Sequence, residues 1–375
     1  MKTKSKIATI FSLLGILLLG GCNNTKDDNN SNNTNNNSSN STNNNTKDNK
    51  INYLTGDLTN TSVIKLSNSD TLEAMRENGS SFVIIASIDG CLTCEEKIIP
   101  KFNYYIENYG LPIYRISFNK LSDTDPLAVL RSDGPVLGIY KDGKKLLISA
   151  YQKNKSVYET QESFNVFFEK YVTLPSVFYI SKDQLGDKIR NKKTFVILYD
   201  RNTCPDCSYL HEHFLNQYIK DKKDKIFYII DCDVKGIRYD KNGDYDQEQW
   251  IKFKEDHLLN KTDTNPYGYS GGVVPTFQYY LNGVLSASDV YVNETFNEEL
   301  ISGTEENGQK VTYKFTVTES FIEELINTSY TFETTYNEDT IKTQKSEFKK
   351  ECVSEIHENK VKDFLDTYAE KKSQA

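Results

Sequence analysis

The chain has 375 residues, of which 37% are hydrophobic, and its formal net charge is −8. This length accommodates two domains of ordinary size together with appended segments. An acidic chain lacks the clustered Lys and Arg that phosphate contacts need, which excludes a nucleic-acid partner, and its charge alone would not hold it at an anionic membrane.

The first 21 residues have the pattern of a secretory signal. Three lysines precede an apolar run that is too short to span a bilayer. The run ends in Gly20-Gly21-Cys22, which resembles a bacterial lipobox, the motif in which the cysteine is acylated and becomes the first mature residue. A plain secretory signal with an incidental cysteine is the alternative. We expect a lipid anchor at Cys22 and a location on the extracytoplasmic face of the cell membrane.

Residues 22–50 follow as a polar segment. From residue 23 onward they contain no aromatic or aliphatic side chain and consist almost entirely of Asn, Ser, Thr, Asp and Lys. Such a segment cannot bury enough apolar surface to offset the entropy lost on ordering. The composition predicts a disordered tether.

The rest of the chain contains an internal repeat. Residues 81–85 match residues 194–198 at an offset of 113, and the same offset places Cys91-x-x-Cys94 on Cys204-x-x-Cys207 without a gap. Later anchors match at an offset of 140, so the second copy carries 27 extra residues. Duplicated domains explain such a pattern. The predicted boundaries are 51–172 for the first domain, 173–330 for the second with an insertion at about 236–272, and 331–375 for a C-terminal helical extension.

Both copies predict the same order of elements. A strand and a helix precede a buried strand, and the C-x-x-C then opens a second helix with apolar residues at helical spacing. Another strand follows, and a strand that begins after a proline is joined to its partner by Asp142-Gly143 or Asn282-Gly283, which are strong hairpin signals. A closing helix is expected from Glu162 in one copy and from Glu319 in the other.

This order, the C-x-x-C after the second strand and the later proline resemble thioredoxin-like proteins over about residues 60–330. The resemblance implies an α/β fold class with two tandem thioredoxin-like domains, each a central mixed sheet flanked by helices, and a C-terminal helix. The tandem layout is similar to that of protein disulfide isomerases. The lipid anchor and short domains look more like bacterial surface thioredoxins, including bacteriocin transport accessory proteins.

Cys204 and Cys207 are the best candidates for a redox pair. A cysteine at a helix N-terminus faces unpaired N–H groups and the positive end of the helix dipole, which favour the nucleophilic thiolate. Pro205 suits the first helical position, and two intervening residues bring the sulfurs within disulfide reach. We expect Cys204 to be the exposed attacking thiolate and Cys207 to resolve the mixed disulfide. A static disulfide or half of a zinc site are the alternatives.

Pro275 matches the proline that thioredoxin-like proteins hold in cis beside the motif. The resemblance implies that the backbone of Val274 could pair with an extended substrate peptide. In the first copy Gly134 and Pro135 occupy the corresponding positions.

The first motif, Cys91-Leu92-Thr93-Cys94, lacks the proline of the second. It is a second active site, a relay partner or a weakened copy. Both motifs also depart from thioredoxin itself, because Ile85 and Leu198 stand where that family carries a buried acid. This absence leaves the direction of electron flow open.

The remaining candidate residues carry weaker signals. Cys232 and Cys352 are possible accessory thiols that could form a bridge, or they are a buried inert thiol and a lone one. Histidines 211 and 213 follow the second motif and are expected at the surface, although His211 could tune the Cys204 site. No metal site or cofactor is expected.

These observations predict an extracytoplasmic thiol-disulfide oxidoreductase that exchanges disulfides with secreted or surface proteins. Its expected partners are protein thiols and disulfides, with a membrane redox partner as a further candidate. The alternative is a non-catalytic surface lipoprotein that uses its thioredoxin folds for protein binding or chaperoning, with the C-x-x-C pairs as structural disulfides. Oxidation, reduction and isomerisation remain open as directions.

Overall fold

The computed structural model describes residues 49–269, 271–290, 295–302, 310–318, 328–335 and 337–372. Cys22, the predicted signal segment and nearly all of the predicted tether lie outside these residues. The chain divides into two compact units. Among the described residues, the first comprises residues 49–53 and Asn60–Leu174, and the second comprises Leu54–Thr59 and the residues from Pro175 onward.

The regular elements are named in chain order. The strands are β1 (Ile51–Asn52), β2 (Thr55–Asp57), β3 (Ile64–Lys65), β4 (Phe82–Ser87), β5 (Ile113–Ser117), β6 (Val136–Lys141), β7 (Lys144–Ala150), β8 (Val172–Thr173), β9 (Val177–Tyr179), β10 (Phe195–Asp200), β11 (Lys225–Asp231), β12 (Thr276–Leu281), β13 (Val284–Val290), β14 (Thr295–Ser302), β15 (Lys310–Thr318), β16 (Thr328–Thr335) and β17 (Glu370–Lys371). The helices are α1 (Ser69–Glu77), α2 (Ile99–Tyr109), α3 (Gln161–Phe168), α4 (Lys182–Arg190), α5 (Pro205–Leu210), α6 (Asn216–Asp221), α7 (Gln247–Asp256) and α8 (Glu338–Tyr368).

The first unit is built on a five-stranded sheet in the order β3-β5-β4-β6-β7. The first three of these strands are parallel, whereas β6 is antiparallel to β4 and β7 is antiparallel to β6. The β6–β7 hairpin turns at Asp142-Gly143, where both residues have the positive φ angles of a tight two-residue turn. The short strands β1 and β8 pair with each other in the same unit.

Both faces of this sheet are covered, because all residues of β4 are buried. Val83 and Ile85 belong to a cluster with aromatic residues of α2 and α3, including Phe102 and Phe164. The alternate residues of β4 pack instead against Leu72 and Met75 of α1 and the residues around them. A continuous apolar run is what a strand buried on both faces requires.

The second unit repeats this arrangement in the order β13-β12-β10-β11-β9-β2. Strands β9, β10 and β11 are parallel, β12 is antiparallel to β10, and β13 returns from β12 through a turn at Asn282-Gly283. The N-terminal strand β2 adds to the edge beside β9. The shared strand order and the position of the C-x-x-C after β4 and β10 confirm the predicted fold class of thioredoxin-like units.

The two faces of the second sheet carry different helices. On one face, Phe195, Ile197 and Tyr199 of β10 pack with Leu185 of α4 and with Trp250 and Phe253 of α7. On the other face, alternate β10 residues pack with residues of α5, the turn after it and the C-terminal end of α8. The extra segment of the second copy therefore supplies α7, a crossover helix. At the corresponding place the first unit has only short 3-10 turns, Phe118–Lys120 and Ala128–Asp133.

The C-terminal region contains strands that the sequence patterns did not indicate. Strands β14, β15 and β16 form an antiparallel sheet, and Tyr313 and Phe315 of β15 pack in one cluster with Ile341 and Phe348 of α8. The expected C-terminal helix is confirmed as α8, Glu338–Tyr368, whereas residues 331–335 of the predicted helical extension belong to β16. The closing helix expected from Glu319 lies outside the described residues. Within the described ranges, no helix combines the length and the apolar character needed to cross a bilayer.

Candidate redox site

The second motif begins where β10 ends. Cys204 has extended backbone angles, φ −90° and ψ 122°, and is the N-cap of α5, with Pro205 at the first helical position. The loop before it is held by Asp233, whose carboxylate accepts hydrogen bonds from the backbone N–H and the hydroxyl of Thr203, at 2.9 and 2.6 Å. The predicted position of Cys204 at a helix start is thereby found in the structure.

The surroundings of Cys204 stabilise its thiolate. A hydrogen bond from the Cys207 thiol lowers the pKa of Cys204, and the backbone N–H groups of Cys207 and Asp206 lower it further. Burial raises this pKa, and the net result is a value of about 6. Hydrogen bonds that favour the charged form of an acid lower its pKa. The N–H groups at a helix start are available for such bonds because they have no acceptor within the helix. At neutral pH Cys204 is therefore mostly the nucleophilic anion.

The two sulfurs differ in access. Cys204 is 8% exposed and Cys207 is 1% exposed, so an incoming disulfide reaches Cys204 first. The expectation of an exposed thiolate is wrong, because Cys204 is buried, and in its protonated form the thiol donates a hydrogen bond to the carbonyl of Val274 at 3.6 Å. The Val274–Pro275 peptide bond is cis, as the resemblance implied. Binding of a substrate peptide at Val274 and Pro275 stays a prediction.

Cys207 is the deeper thiol of the pair. Burial, the hydrogen bond with Cys204 and the negative charge of Asp200 raise the pKa of Cys207 far above its usual value. The thiol therefore keeps its proton until it attacks. This difference in pKa between neighbouring cysteines suits one attacking sulfur and one resolving sulfur.

Asp200 is the functional candidate that the sequence patterns missed. It ends β10 four residues before Cys204, its side chain is only 5% exposed, and its Oδ2 atom lies 2.7 Å from Nε2 of His211. Burial opposes its ionisation, but the hydrogen bond and the electrostatic interaction with His211 hold the pKa of Asp200 below the usual value. The site therefore has a buried acid, although at a different place from that of thioredoxins.

His211 was expected at the surface, and it is instead partly buried. It opens a π-helical turn, His211–Leu215, that continues α5 towards α6, and its side chain is 16% exposed. A charged residue that ends an otherwise apolar strand, together with a histidine seven residues after Cys204, was the signal that could have identified the pair. Because a buried charged group normally has a partner, an acidic residue at the end of an apolar strand would have indicated a nearby partner such as His211.

The two remaining cysteines of the second unit are free thiols in different clusters. Cys232 follows β11, is fully buried and packs among residues on the α7 side of the sheet. Cys352 lies in α8 beside Ile356 and Tyr330, and burial raises its pKa to about 11. The possible bridge between them is absent from the structure, because each thiol is enclosed by its own apolar neighbours.

The motif of the first unit has a different environment. Cys91 and Cys94 form a disulfide, 5% and 0% exposed, and Leu92 between them is 74% exposed. At the offset of 113, Ser87 stands at the position of Asp200 and Ile98 at that of His211. The buried polar residues in the described part of this unit are serines alone, so Cys94 has no buried carboxylate nearby.

The proline of the first unit also differs from its counterpart. The Gly134–Pro135 bond is not cis, unlike the Val274–Pro275 bond. The carbonyl of Pro135 accepts a hydrogen bond from the backbone N–H of Tyr151 at 2.8 Å and is used within the β6–β7 hairpin. A substrate-binding role of Gly134 and Pro135 stays a prediction. No cluster of three potential metal ligands occurs in the described part of either unit.

No protein-family model and no curated protein sequence matches the chain. Solved structures of thioredoxins align with about a third of it. Thioredoxin f from spinach chloroplast is 18% identical over 31% of this chain and 80% of its own, with a TM-score of 0.20. A mutant thioredoxin from Halobacterium salinarum NRC-1 is 16% identical over 31% of this chain and 95% of its own, with a TM-score of 0.22.

A longer alignment is found with human ERp44 in its zinc-bound form. It is 12% identical and covers 60% of this chain and 52% of ERp44, with a TM-score of 0.22. The chain therefore spans about half the length of that protein. The strand orders of the two units, and not these alignments, identify their folds as thioredoxin-like.

Proposed function

We propose that the protein is a thiol-disulfide oxidoreductase in which Cys204 and Cys207 exchange disulfides with protein substrates outside the cytoplasm. The observation that carries this proposal is the contrast between two neighbouring thiols. Cys204 caps a helix and has a pKa of about 6, whereas Cys207 is deeper and has a strongly raised pKa. A structural disulfide needs no such contrast, but dithiol exchange does, because one sulfur attacks first and the other follows.

The reaction runs in two steps when a substrate disulfide is reduced. The Cys204 thiolate attacks one sulfur of the substrate, the substrate S–S bond breaks, and one substrate thiolate leaves as the mixed disulfide forms. Cys207 then loses its proton and attacks the Cys204 sulfur, which releases the second substrate thiolate. Two electrons pass from the cysteine sulfurs to the substrate. A small thiol or a partner dithiol then reduces the Cys204–Cys207 disulfide and restores the pair. The reverse sequence oxidises a substrate dithiol, and there a partner disulfide must reoxidise the pair.

The proposed location follows from the N-terminal sequence. An anchor at Cys22 and the polar tether of residues 22–50 would hold the folded units near the outer face of the membrane, where protein disulfides persist. Secreted or surface proteins with cysteines are the substrates that such a position favours. A membrane protein that supplies or removes electrons is the partner this arrangement needs.

A trapping experiment tests the proposed exchange. Replacing the resolving residue, Cys207→Ala, leaves the attacking thiolate and blocks the second step, so mixed disulfides with substrate proteins should accumulate at Cys204. Peptide mass spectrometry on cells that express the variant identifies the trapped proteins. The double variant Cys204→Ala/Cys207→Ala is the matched control and should trap none. If the two variants give the same protein adducts, Cys204 does not exchange disulfides, and the alternative of a non-catalytic binding protein is favoured.

A separate labelling experiment tests the proposed location. The wild-type protein should incorporate a metabolic fatty-acid label and stay with the membrane fraction, whereas Cys22→Ser should lose both properties. Protease added to the outside of intact cells should digest the wild-type protein if the outer face of the membrane is open to the protease. Equal labelling of the two proteins would contradict the lipid anchor without affecting the proposed chemistry.

A further inference from the structure

We infer that His211 is a positioning residue that connects the buried carboxylate of Asp200 with solvent and passes the Cys207 proton between them. This inference rests on the proposed dithiol exchange and adds a proton path to it. The path has three groups in sequence: the Cys207 thiol, the Asp200 carboxylate and the His211 imidazole.

The two carboxylate oxygens of Asp200 have different surroundings. Oδ2 lies 2.7 Å from Nε2 of His211. Oδ1 is buried and has no partner within ordinary hydrogen-bond distance among the described residues, and the Cys207 thiol interacts with this carboxylate closely enough to lower the pKa of Asp200. A buried acceptor without a partner is costly, and in a functional site such an atom commonly has a role in the chemistry.

The solvent exposure of the three side chains indicates that the proton leaves the site through His211. The Asp200 side chain is 5% exposed and the residue Cys207 is 1% exposed, so neither exchanges protons readily with bulk water. The His211 side chain is 16% exposed and binds Asp200 through only one of its two ring nitrogens. Imidazole can take up a proton on one nitrogen and release one from the other, which makes it suited to a shuttle.

Other ionisable groups around Asp200 do not provide this path. Those that face it are His211 and Cys207 from the motif helix, Tyr179 from β9, and Asp231 and Cys232 from the end of β11. Tyr179 and Cys232 have raised pKa values because they are buried, so both stay protonated near neutral pH. Burial also raises the pKa of Asp231 to about 6, but no hydrogen bond joins it to Asp200.

The two halves of the reaction can be observed separately with an aryl disulfide, dithiobis-nitrobenzoate. The Cys204 thiolate attacks the probe and releases the first coloured thionitrobenzoate. Cys207 gives its proton to Asp200, attacks the Cys204 sulfur and releases the second. The first release therefore reports Cys204 alone, and the second reports the proposed path.

The central variant is His211→Asn, measured by stopped-flow absorbance in a Cys91→Ala/Cys94→Ala background. We expect the second release to slow by about tenfold at neutral pH, which is below the roughly 100- to 10,000-fold contributed by a group that itself accepts the reacting proton. The first release should keep its rate, which also establishes that the variant folds. His213→Asn is the matched control, because His213 lies on the same turn but stacks on Tyr209 with 4.0 Å between ring centroids. It should change neither release.

The pH profile separates a proton path from a merely structural contact. His211 holds the pKa of Asp200 below its usual value, so removing it raises the pKa of that buried carboxylate. The second step needs ionised Asp200, and its pH profile should move to higher pH in His211→Asn and not in His213→Asn. A structural role alone would lower the rate equally at all pH values.

A double variant completes the test. If His211 acts through Asp200, then Asp200→Asn/His211→Asn should be no slower in the second release than Asp200→Asn. A multiplied loss, or an unchanged pH profile in His211→Asn, would overturn the inference. Absence of any rapid first release from the wild-type background would instead overturn the proposed function, so the two failures are distinguishable.

Discussion

The sulfur of Cys204 lies 3.6 Å from the carbonyl oxygen of Val274, which accepts a hydrogen bond from the protonated thiol although 70 residues separate the two in sequence. This contact joins the start of the motif helix to the residue before the cis proline. It brings together two of the features that the repeat pattern had singled out independently. The attacking sulfur and the backbone that would receive a substrate strand therefore lie side by side.

The first prediction concerns the pH dependence of Cys204. Its pKa of about 6 means that alkylation in the reduced protein should rise with pH and reach half its maximum near pH 6. In Cys207→Ala the strongest stabilising hydrogen bond is lost, and the midpoint should rise by about one to two pH units, since a hydrogen bond to a charged group is worth roughly 1.5–3 kcal/mol.

Iodoacetamide labelling followed by peptide mass spectrometry reads this midpoint at Cys204 alone. Cys352→Ala is the control, because Cys352 packs in a separate cluster with Ile356 and should leave the midpoint unchanged. A wild-type midpoint at the ordinary thiol value would mean that the helix start and Cys207 do not stabilise the thiolate.

The second prediction compares the two motifs. Ser87 and Ile98 replace Asp200 and His211 in the first unit, so Cys94 has no buried carboxylate to accept its proton. Cys204→Ala/Cys207→Ala should therefore lower the turnover of a disulfide substrate by at least about tenfold, a lower limit that lies below the roughly 100- to 10,000-fold contributed by a proton acceptor. Cys91→Ala/Cys94→Ala should retain most of it. The reverse ranking in an insulin-reduction assay with a small thiol would place the main activity in the first unit.

The third prediction concerns Lys225, a buried cation that holds the end of α8. Its Nζ donates hydrogen bonds to the carbonyls of Asp366 and Ala369 at 2.8 and 3.3 Å, and the residue is 6% exposed. Lys225→Met leaves these carbonyls without a buried donor, and the free energy of unfolding should fall by about 1–3 kcal/mol. Trp250 is the only tryptophan, so its fluorescence in a urea titration reports the second unit.

Lys222 provides the control for this measurement. It is 43% exposed, and its Nζ lies 4.0 Å from an Asp366 carboxylate oxygen. An exposed pair of this kind contributes at most about 1 kcal/mol, so Lys222→Met should have a small effect. Equal losses in both variants would mean that the buried lysine does not hold α8 in place.

The repeat made much of the fold predictable. Buried strands read as continuous apolar runs, and turns such as Asn282-Gly283 carry their own signal, so strand order followed from the resemblance of the pattern to a known fold. Cys204 at a helix start was predictable for the same reason, since Pro205 marks the first helical position.

Features that depend on tertiary packing could not be predicted in this way. Asp200 looks like an ordinary strand end in the sequence, and only the folded chain pairs it with His211 at the start of the π-helical turn His211–Leu215. The packing of the end of α8 on the second sheet likewise follows from contacts such as Lys225 with Ala369, which are 144 residues apart. Local patterns carry no information on such distant pairs.

The reduction potential of the Cys204–Cys207 pair tests the central claim most directly. The protein would be equilibrated with mixtures of reduced and oxidised glutathione, quenched with acid, and the pair quantified by peptide mass spectrometry. We expect reversible oxidation with a potential between roughly −120 and −270 mV, the range of exchange proteins, because thiolate stabilisation at Cys204 favours the reduced form. A disulfide that resists reduction below about −300 mV would contradict the account and leave a structural bond in its place.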